Sequence, residues 1–290
     1  MMRSSRRAQF VAPAILLLLA STRSIAFAQA EQDRQQSAHQ EYFDSVGKMD
    51  AYQIPPTKAL RGQRLIWVSS DSRTGEIAFG EDGRTRIYRA DGATHDVTAD
   101  VFEFAKELYF TAFTVDGDAS GISIVADRRT GRLVELTSRR PAPGETTQRI
   151  QFTVSQAEIE GASEARLPPL ETSEAMTGAR FIETCADDIV YEHIYLNPHR
   201  VTWHAIISPE AGQADTEFYD AYDLRPGVHL VTWSEKVMAA HVSFLFDFEK
   251  EQTIGFIFGH DTESDEITAD TFGCKLTILQ PPDGEDETRP

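Results

Sequence analysis

The residues from Tyr109 to Asp127 align without a gap on His229 to Asp247, at a constant offset of 120. Phe113 falls on Trp233, Ile124 on Phe244 and Asp127 on Asp247. Upstream, Thr85-Arg-Ile-Tyr-Arg89 is similar to Arg200-Val-Thr-Trp-His204, after a longer loop in the second copy. A repeat of one domain length points to duplication rather than to a solenoid, whose periods run roughly 20–50 residues. Both copies are written in short alternating runs bounded by Gly or Asp: Leu65–Val68, Glu76–Phe79, Thr85–Tyr88, Leu108–Thr114 and Ile122–Ala126 in the first. No long stretch carries a helical period, so the chain reads as an all-β meander with hairpins such as Glu81-Asp-Gly83. Antiparallel meanders remove exposed edges by closing on themselves, and about eight strands close around one small ligand. The expected architecture is two tandem antiparallel β-barrels; two open sheets packed as a sandwich is the alternative.

The N-terminus has a different character. Arg3, Arg6 and Arg7 precede an apolar core from Phe10 to Ala20, and Ala26-Phe-Ala28 places small residues where a signal peptidase reads. This predicts a signal peptide over 1–28 and a periplasmic or secreted protein. A membrane anchor is the other reading, but the core is short and Ser21-Thr-Arg-Ser24 interrupts it. Ser5-Arg6-Arg7 matches a twin-arginine export signal only in part. Residues 29–57 read as a polar tether with a short helical stretch near Glu41–Val46, and Pro55-Pro56 ends it. The barrels are expected over 58–155 and 176–282, joined by a linker at 156–175 and followed by an acidic tail at 283–290. Gln148-Arg-Ile-Gln-Phe-Thr-Val154 could complete the first barrel.

The full chain carries a net charge of −18, and residues 1–28 hold four arginines and no acids, so the mature chain would stand at −22. Such a surface repels nucleic acid and anionic membranes. The expected partner is a small molecule, with no nucleic acid and no stable membrane insertion once the signal is removed; a homodimer is left open. Cys185 and Cys274 are the two cysteines. In an exported protein they could form one bridge between the first and last strands of the second copy, or remain two separate thiols.

The copies differ where Glu235 stands against Val115. On Val231-Thr-Trp-Ser-Glu235, the odd-numbered residues share a side that Trp233 marks as enclosed, so Glu235 should lie inside. Tyr191, His193 and Tyr195 share one strand face, and Val201, Trp203 and Ala205 another. If these faces line the lumen, they enclose a single acid in rings, a pocket for a flat, partly aromatic molecule, with Glu235 as a candidate general acid or base. A lumen of several hundred Å³ would support ligand binding. Aromatic stripes at strand spacing equally build plain core, and Glu235 could be a solvated mouth residue or a structural hydrogen-bonding group. His193, His199 and His204 lack a metal-ligand spacing, and no phosphate loop, nucleophile elbow or Cys-x-x-Cys pair is present. No cofactor is expected.

Tyr191-Glu-His-Ile-Tyr-Leu-Asn197, Ala214-Asp-Thr216, Trp233-Ser-Glu235 and Gly255-Phe-Ile-Phe-Gly259 resemble the C-terminal domain of the MoaF family. The resemblance implies a pair of lipocalin-like, calycin-type barrels. The family name implies an association with molybdenum cofactor genes by gene context, without a reaction. The second copy is also distantly similar to the phenolic acid decarboxylases through Ile194-Tyr195, Asn197, Ala211-Gly212, Trp233-Ser-Glu235, Val242-Ser243 and Gly255-x-Ile257-Phe258. There a Trp-Thr-Glu glutamate protonates the substrate alkene, a role Glu235 could match. That family's substrate-binding arginine falls at Gln213, and its tyrosine pair around Thr184–Ala186, so only the glutamate is kept. Three functions follow: a small-molecule binder, a cofactor-independent lyase, decarboxylase or isomerase using Glu235, or a non-catalytic interaction module with filled barrels. The candidate ligand-binding residues are Tyr191, His193, Tyr195, Trp203, Gln213 and Trp233.

Overall fold

The computed structural model describes residues 49–69, 72–82, 84–88, 92–115, 117, 119–140, 150–161, 168–236, 239–260 and 266–282. The expected signal peptide, the helical stretch near Glu41 and the acidic tail lie outside them. The described residues belong to one compact unit. The described residues are all β, in two nine-stranded antiparallel sheets.

The first sheet holds β1 (Arg64–Ser69), β2 (Thr74–Phe79), β3 (Arg84–Tyr88), β4 (Thr94–Thr98), β5 (Val101–Ala105), β6 (Leu108–Val115), β7 (Ser120–Asp127), β8 (Arg132–Arg139) and β9 (Gln151–Ile159). The second holds β10 (Arg180–Ala186), β11 (Ile189–Asn197), β12 (Arg200–Ile207), β13 (Ala214–Phe218), β14 (Asp220–Arg225), β15 (Val228–Ser234), β16 (Ala240–Asp247), β17 (Gln252–His260) and β18 (Ile267–Gln280). Strand order is the same in both: β4-β3-β2-β1-β9-β8-β7-β6-β5 and β13-β12-β11-β10-β18-β17-β16-β15-β14. Each sheet is therefore a meander wrapped so that its last strand pairs with its first. The seam lies between the fourth and fifth strands of each sheet. The tandem-barrel expectation holds, with nine strands in each sheet. β9 runs on to Ile159, past the expected boundary at 155, because its last residues pair with β1 at Trp67–Ser69.

Burial explains both the alternation and its absence. β11 and β12 alternate buried and half-buried positions, as strands with one enclosed face should. β15 and β16 are buried almost throughout. One of their faces lines the second barrel, with Val231, Trp233, Val242 and Phe244. The other presents Leu230 and Leu245 to Phe110, Val125 and Val134 of the first sheet. The duplicated stretch is thus also the surface that joins the barrels. Ser123 Oγ and Ser243 Oγ lie 3.1 Å apart and are 120 residues apart in sequence. A two-fold operation exchanging the copies brings a residue onto its own equivalent only near the axis, so this pair marks the pseudo-dyad. At the interface edge Arg225 donates to both carboxylate oxygens of Asp127 at 2.7 Å.

Close approach accounts for two glycines. A Cβ on Gly255 would meet the Phe272 ring at 2.3 Å, so the cross-strand pair Gly255–Phe272 keeps its aromatic flat on the sheet. A Cβ on Gly273 would meet Gln53 Cα at 2.4 Å. The end of the linker lies across the second barrel there: Gly273 N donates to Met49 O, Tyr52 donates to Asp187, and Lys275 sits over the Tyr52 ring. Thr57 N then bonds Val101 O of the first sheet. Residues 49–57, expected as part of a mobile tether, are a strap fastened to both barrels. The Cys185–Cys274 disulfide joins β10 to β18, with Cα atoms 4.1 Å apart.

Candidate functional site

Strand parity on five elements converges in the second barrel. β10 sends in Phe181, Glu183 and Cys185; β11 sends in Tyr191, His193 and Tyr195; β12 sends in Trp203, and β13 sends in Glu217. β15 carries Trp233, and Glu235 follows one residue past its end, where its N–H still pairs with Ala240 O. A cavity of about 40 Å³ opens among Met49, Glu183, Tyr191, His193, Trp203, Trp233, Glu235, Val242, Phe244, Ile257 and Phe272. It is far smaller than the lumen of several hundred Å³ expected for a bound aromatic ligand, because Met49 of the strap and the Phe244 and Phe272 rings fill the remainder. Room remains for about three waters or a few heavy atoms of a ligand.

Glu235 is the best-held group in the cavity. Trp233 Nε1 donates to its Oε1 at 2.7 Å and Trp203 Nε1 to its Oε2 at 3.1 Å. Burial raises its pKa to about 8, the neighbouring Glu217 carboxyl pushes in the same direction, and the two indole donors pull against them. Glu217 is fully buried and accepts the Lys236 backbone N–H at 2.8 Å. Glu183 and His193 form a second pair, with Oε2 and Nε2 3.4 Å apart. Burial raises Glu183 to about 8 and lowers His193 to about 3, so at neutral pH the proton of the pair stays on the carboxyl. Glu183 Oε1 and His193 Nδ1 are buried without a hydrogen-bond partner. Tyr191 donates to Glu210 at 2.5 Å on the cavity rim.

Of the residues singled out from sequence, Tyr191, His193, Trp203, Trp233 and Glu235 meet around this cavity. Tyr195 lies deeper, packed edge-on against Tyr219 and beside Phe181. Gln213 is apart from it, exposed on the turn into β13, where its backbone accepts from Ala205 and donates to Glu210. The expected single acid is instead a group: Glu183 lines the cavity with Glu235, Glu217 backs it, and Glu210 meets Tyr191. Glu183 was legible in principle, since it shares parity with Phe181 and Cys185. Among the described residues, Glu183, Cys185 and Cys274 are the only cluster dense enough in metal-ligating atoms to hold an ion. Two of its three ligands are joined in the disulfide, so it offers no thiolate while that bridge is closed.

Residues 170–281 match the sequence profile of the MoaF C-terminal domain. Protein MoaF of Klebsiella aerogenes is 30% identical over 88 residues, which cover 30% of this chain and 34% of that protein. The match thus spans about a third of the length of that curated relative. Among solved structures, a protein of unknown function from Nostoc punctiforme aligns over 74% of this chain and 94% of its own, at 9% identity and a TM-score of 0.32. A proposed beta-lactamase from Burkholderia vietnamiensis aligns over 40% and 100%, at 17% identity and a TM-score of 0.31. Neither likeness is close enough to carry an argument. The second barrel is matched by the MoaF C-terminal domain, and it is through this part that the chain is similar to the MoaF family.

Proposed function

We propose that this is an exported binding protein whose second barrel takes a small molecule in the cavity at Glu235. The observation that carries the reading is the pair of indole N–H groups fixed on one buried carboxyl beside a cavity with two unpartnered polar atoms, Glu183 Oε1 and His193 Nδ1. Both residues line the cavity, and each unsatisfied buried group costs about 1–3 kcal/mol that the polar head of a ligand would recover. A ligand with a polar head and a flat apolar body would satisfy the first and stack on the rings, its body taking the place of the Met49 side chain. The disulfide supports export, since such bridges persist in oxidising compartments. Two tests apply. Thermal-shift screening of the mature protein against phenolic and hydroxycinnamic compounds should raise Tm for wild type and not for Glu235→Gln; equal shifts in both place the ligand elsewhere. N-terminal sequencing of protein recovered outside the cytoplasm should begin near Gln29, and an intact Met1 on a cytosolic species rejects export.

A second reading is proton-transfer catalysis. Glu235 keeps its proton near neutral pH and has Glu217 beside it, which suits a general acid that must donate to a carbon or oxygen of the substrate. Decarboxylation of a phenolic acid is not favoured, because no lining residue is a lysine or arginine that could hold the substrate carboxylate.

A further inference from the structure

We propose that the molecule bound by the second barrel is a cation, the ammonium head of a small amine, held by Glu183 and Glu235 among the rings of Trp203, Trp233 and Phe244. This rests on the reading of the cavity as a binding site and names the class of ligand it takes. The lining contains two glutamates, His193 and five Tyr, Trp or Phe side chains, and neither a lysine nor an arginine. An anionic ligand would find no lysine or arginine in the lining to balance its charge, and its presence would only hold the protons more firmly on Glu183 and Glu235. Lys236, the nearby cation, is turned away: its Nζ is on Asp215 at 2.7 Å.

A neutral ligand also fits the chemistry poorly. Glutamine would serve it at either position without the cost of a buried ionisable group. A cation uses what the site has. Glu183 Oε1 is without a hydrogen-bond partner, 1% exposed as a residue, and can accept from an ammonium once the carboxyl ionises, and ring systems hold ammonium groups through their negative faces. The cavity of about 40 Å³ suits a head group of a few atoms. In the empty cavity, burial keeps the proton on both carboxyls. An arriving ammonium takes the place of one of these two protons, which leaves to solvent as its carboxyl ionises, while the other carboxyl stays protonated and hydrogen-bonds beside it.

Saturation-transfer NMR on the full mature chain at pH 7 and constant ionic strength, with propylammonium, 1-propanol and propanoate as probes of matched size, tests this. Propylammonium should bind at least about tenfold more tightly than propanol, and propanoate should give no signal. Glu183→Gln and Glu235→Gln should each weaken propylammonium at least about tenfold and leave propanol unchanged, with a cooperative thermal transition at pH 6 showing that the variants fold. Glu183→Asp, which keeps the charge, should retain part of the affinity even if a Gln variant fails to fold. Propanol or propanoate binding as tightly as propylammonium overturns the inference and leaves the binding site standing. No binding of propylammonium while phenols stabilise the protein does the same. Silence from all three probes and the phenols removes both.

Discussion

Glu235→Gln makes protein stability a reporter of the buried carboxyl. In the folded chain Glu235 has its pKa raised from 4.5 to about 8. Between those two values the folded state holds a proton that the unfolded state has released, so stability falls as pH rises and levels off above the folded pKa. Each pH unit in that window is worth about 1.4 kcal/mol, so from pH 6 to pH 9 this one group removes about 3 kcal/mol of stability from the wild type. Glutamine carries no such term. Near pH 6 the variant should be the less stable protein by about 1–2 kcal/mol, since the amide offers one acceptor where the carboxyl serves the indoles of both Trp203 and Trp233. By pH 9 the order should reverse. Urea unfolding of both proteins at the two pH values, disulfide intact, measures the difference directly. A gap between variant and parent that is the same at pH 6 and pH 9 would refute the buried, proton-holding carboxyl.

Three further outcomes are expected. Glu183 behaves as Glu235 does above pH 4.5, whereas His193 and His241, held neutral with pKa lowered to about 3, remove stability as pH falls below 6.5; stability measured by denaturation across pH 4–9 should therefore be greatest between about 4.5 and 6.5, and a maximum above pH 8 would contradict the burial of the carboxyls. Opening the Cys185–Cys274 bridge, which closes a span of 89 residues, should lower stability by about 4–5 kcal/mol on the chain-entropy account, measured by urea unfolding with and without reductant. Arg225→Ala leaves Asp127 buried at the barrel interface without its guanidinium and should cost about 3 kcal/mol; a loss under 0.5 kcal/mol would show that the pair does not hold the barrels together.

Much of the architecture is written at the scale of two residues. The alternation of Tyr191, His193 and Tyr195 against Val190, Glu192 and Ile194 predicts which side of β11 is enclosed, and the offset of 120 predicts the duplication. The same offset did not reveal that these strands form the joint between barrels, because a strand buried on both faces loses its alternation and reads only as apolar. Glu235 is legible because it follows Trp233 at strand parity. Glu217 is not: in Ala214-Asp-Thr-Glu-Phe218 the acid is buried and the phenylalanine is 59% exposed, under the Arg200 guanidinium. That reversal is fixed by the barrel seam and by Lys236 of a distant loop, neither of which leaves a local pattern. Met49 is hidden for a related reason. It comes from a polar segment far from the second barrel in sequence, and only the bare backbone at Gly273 lets that segment lie close enough for Met49 to reach the cavity.

The central claim is that a ligand sits where Trp203 and Trp233 meet Glu235. The chain has three tryptophans, the third being Trp67 in the first barrel, so the indole N–H region of a ¹⁵N NMR spectrum holds three signals. Titration with a set of small amines, alcohols and phenols should move the Trp203 and Trp233 signals together, leave Trp67 in place, and lose the effect in Glu235→Gln. Compounds that stabilise the protein while moving neither signal, or while moving Trp67 alone, would contradict it.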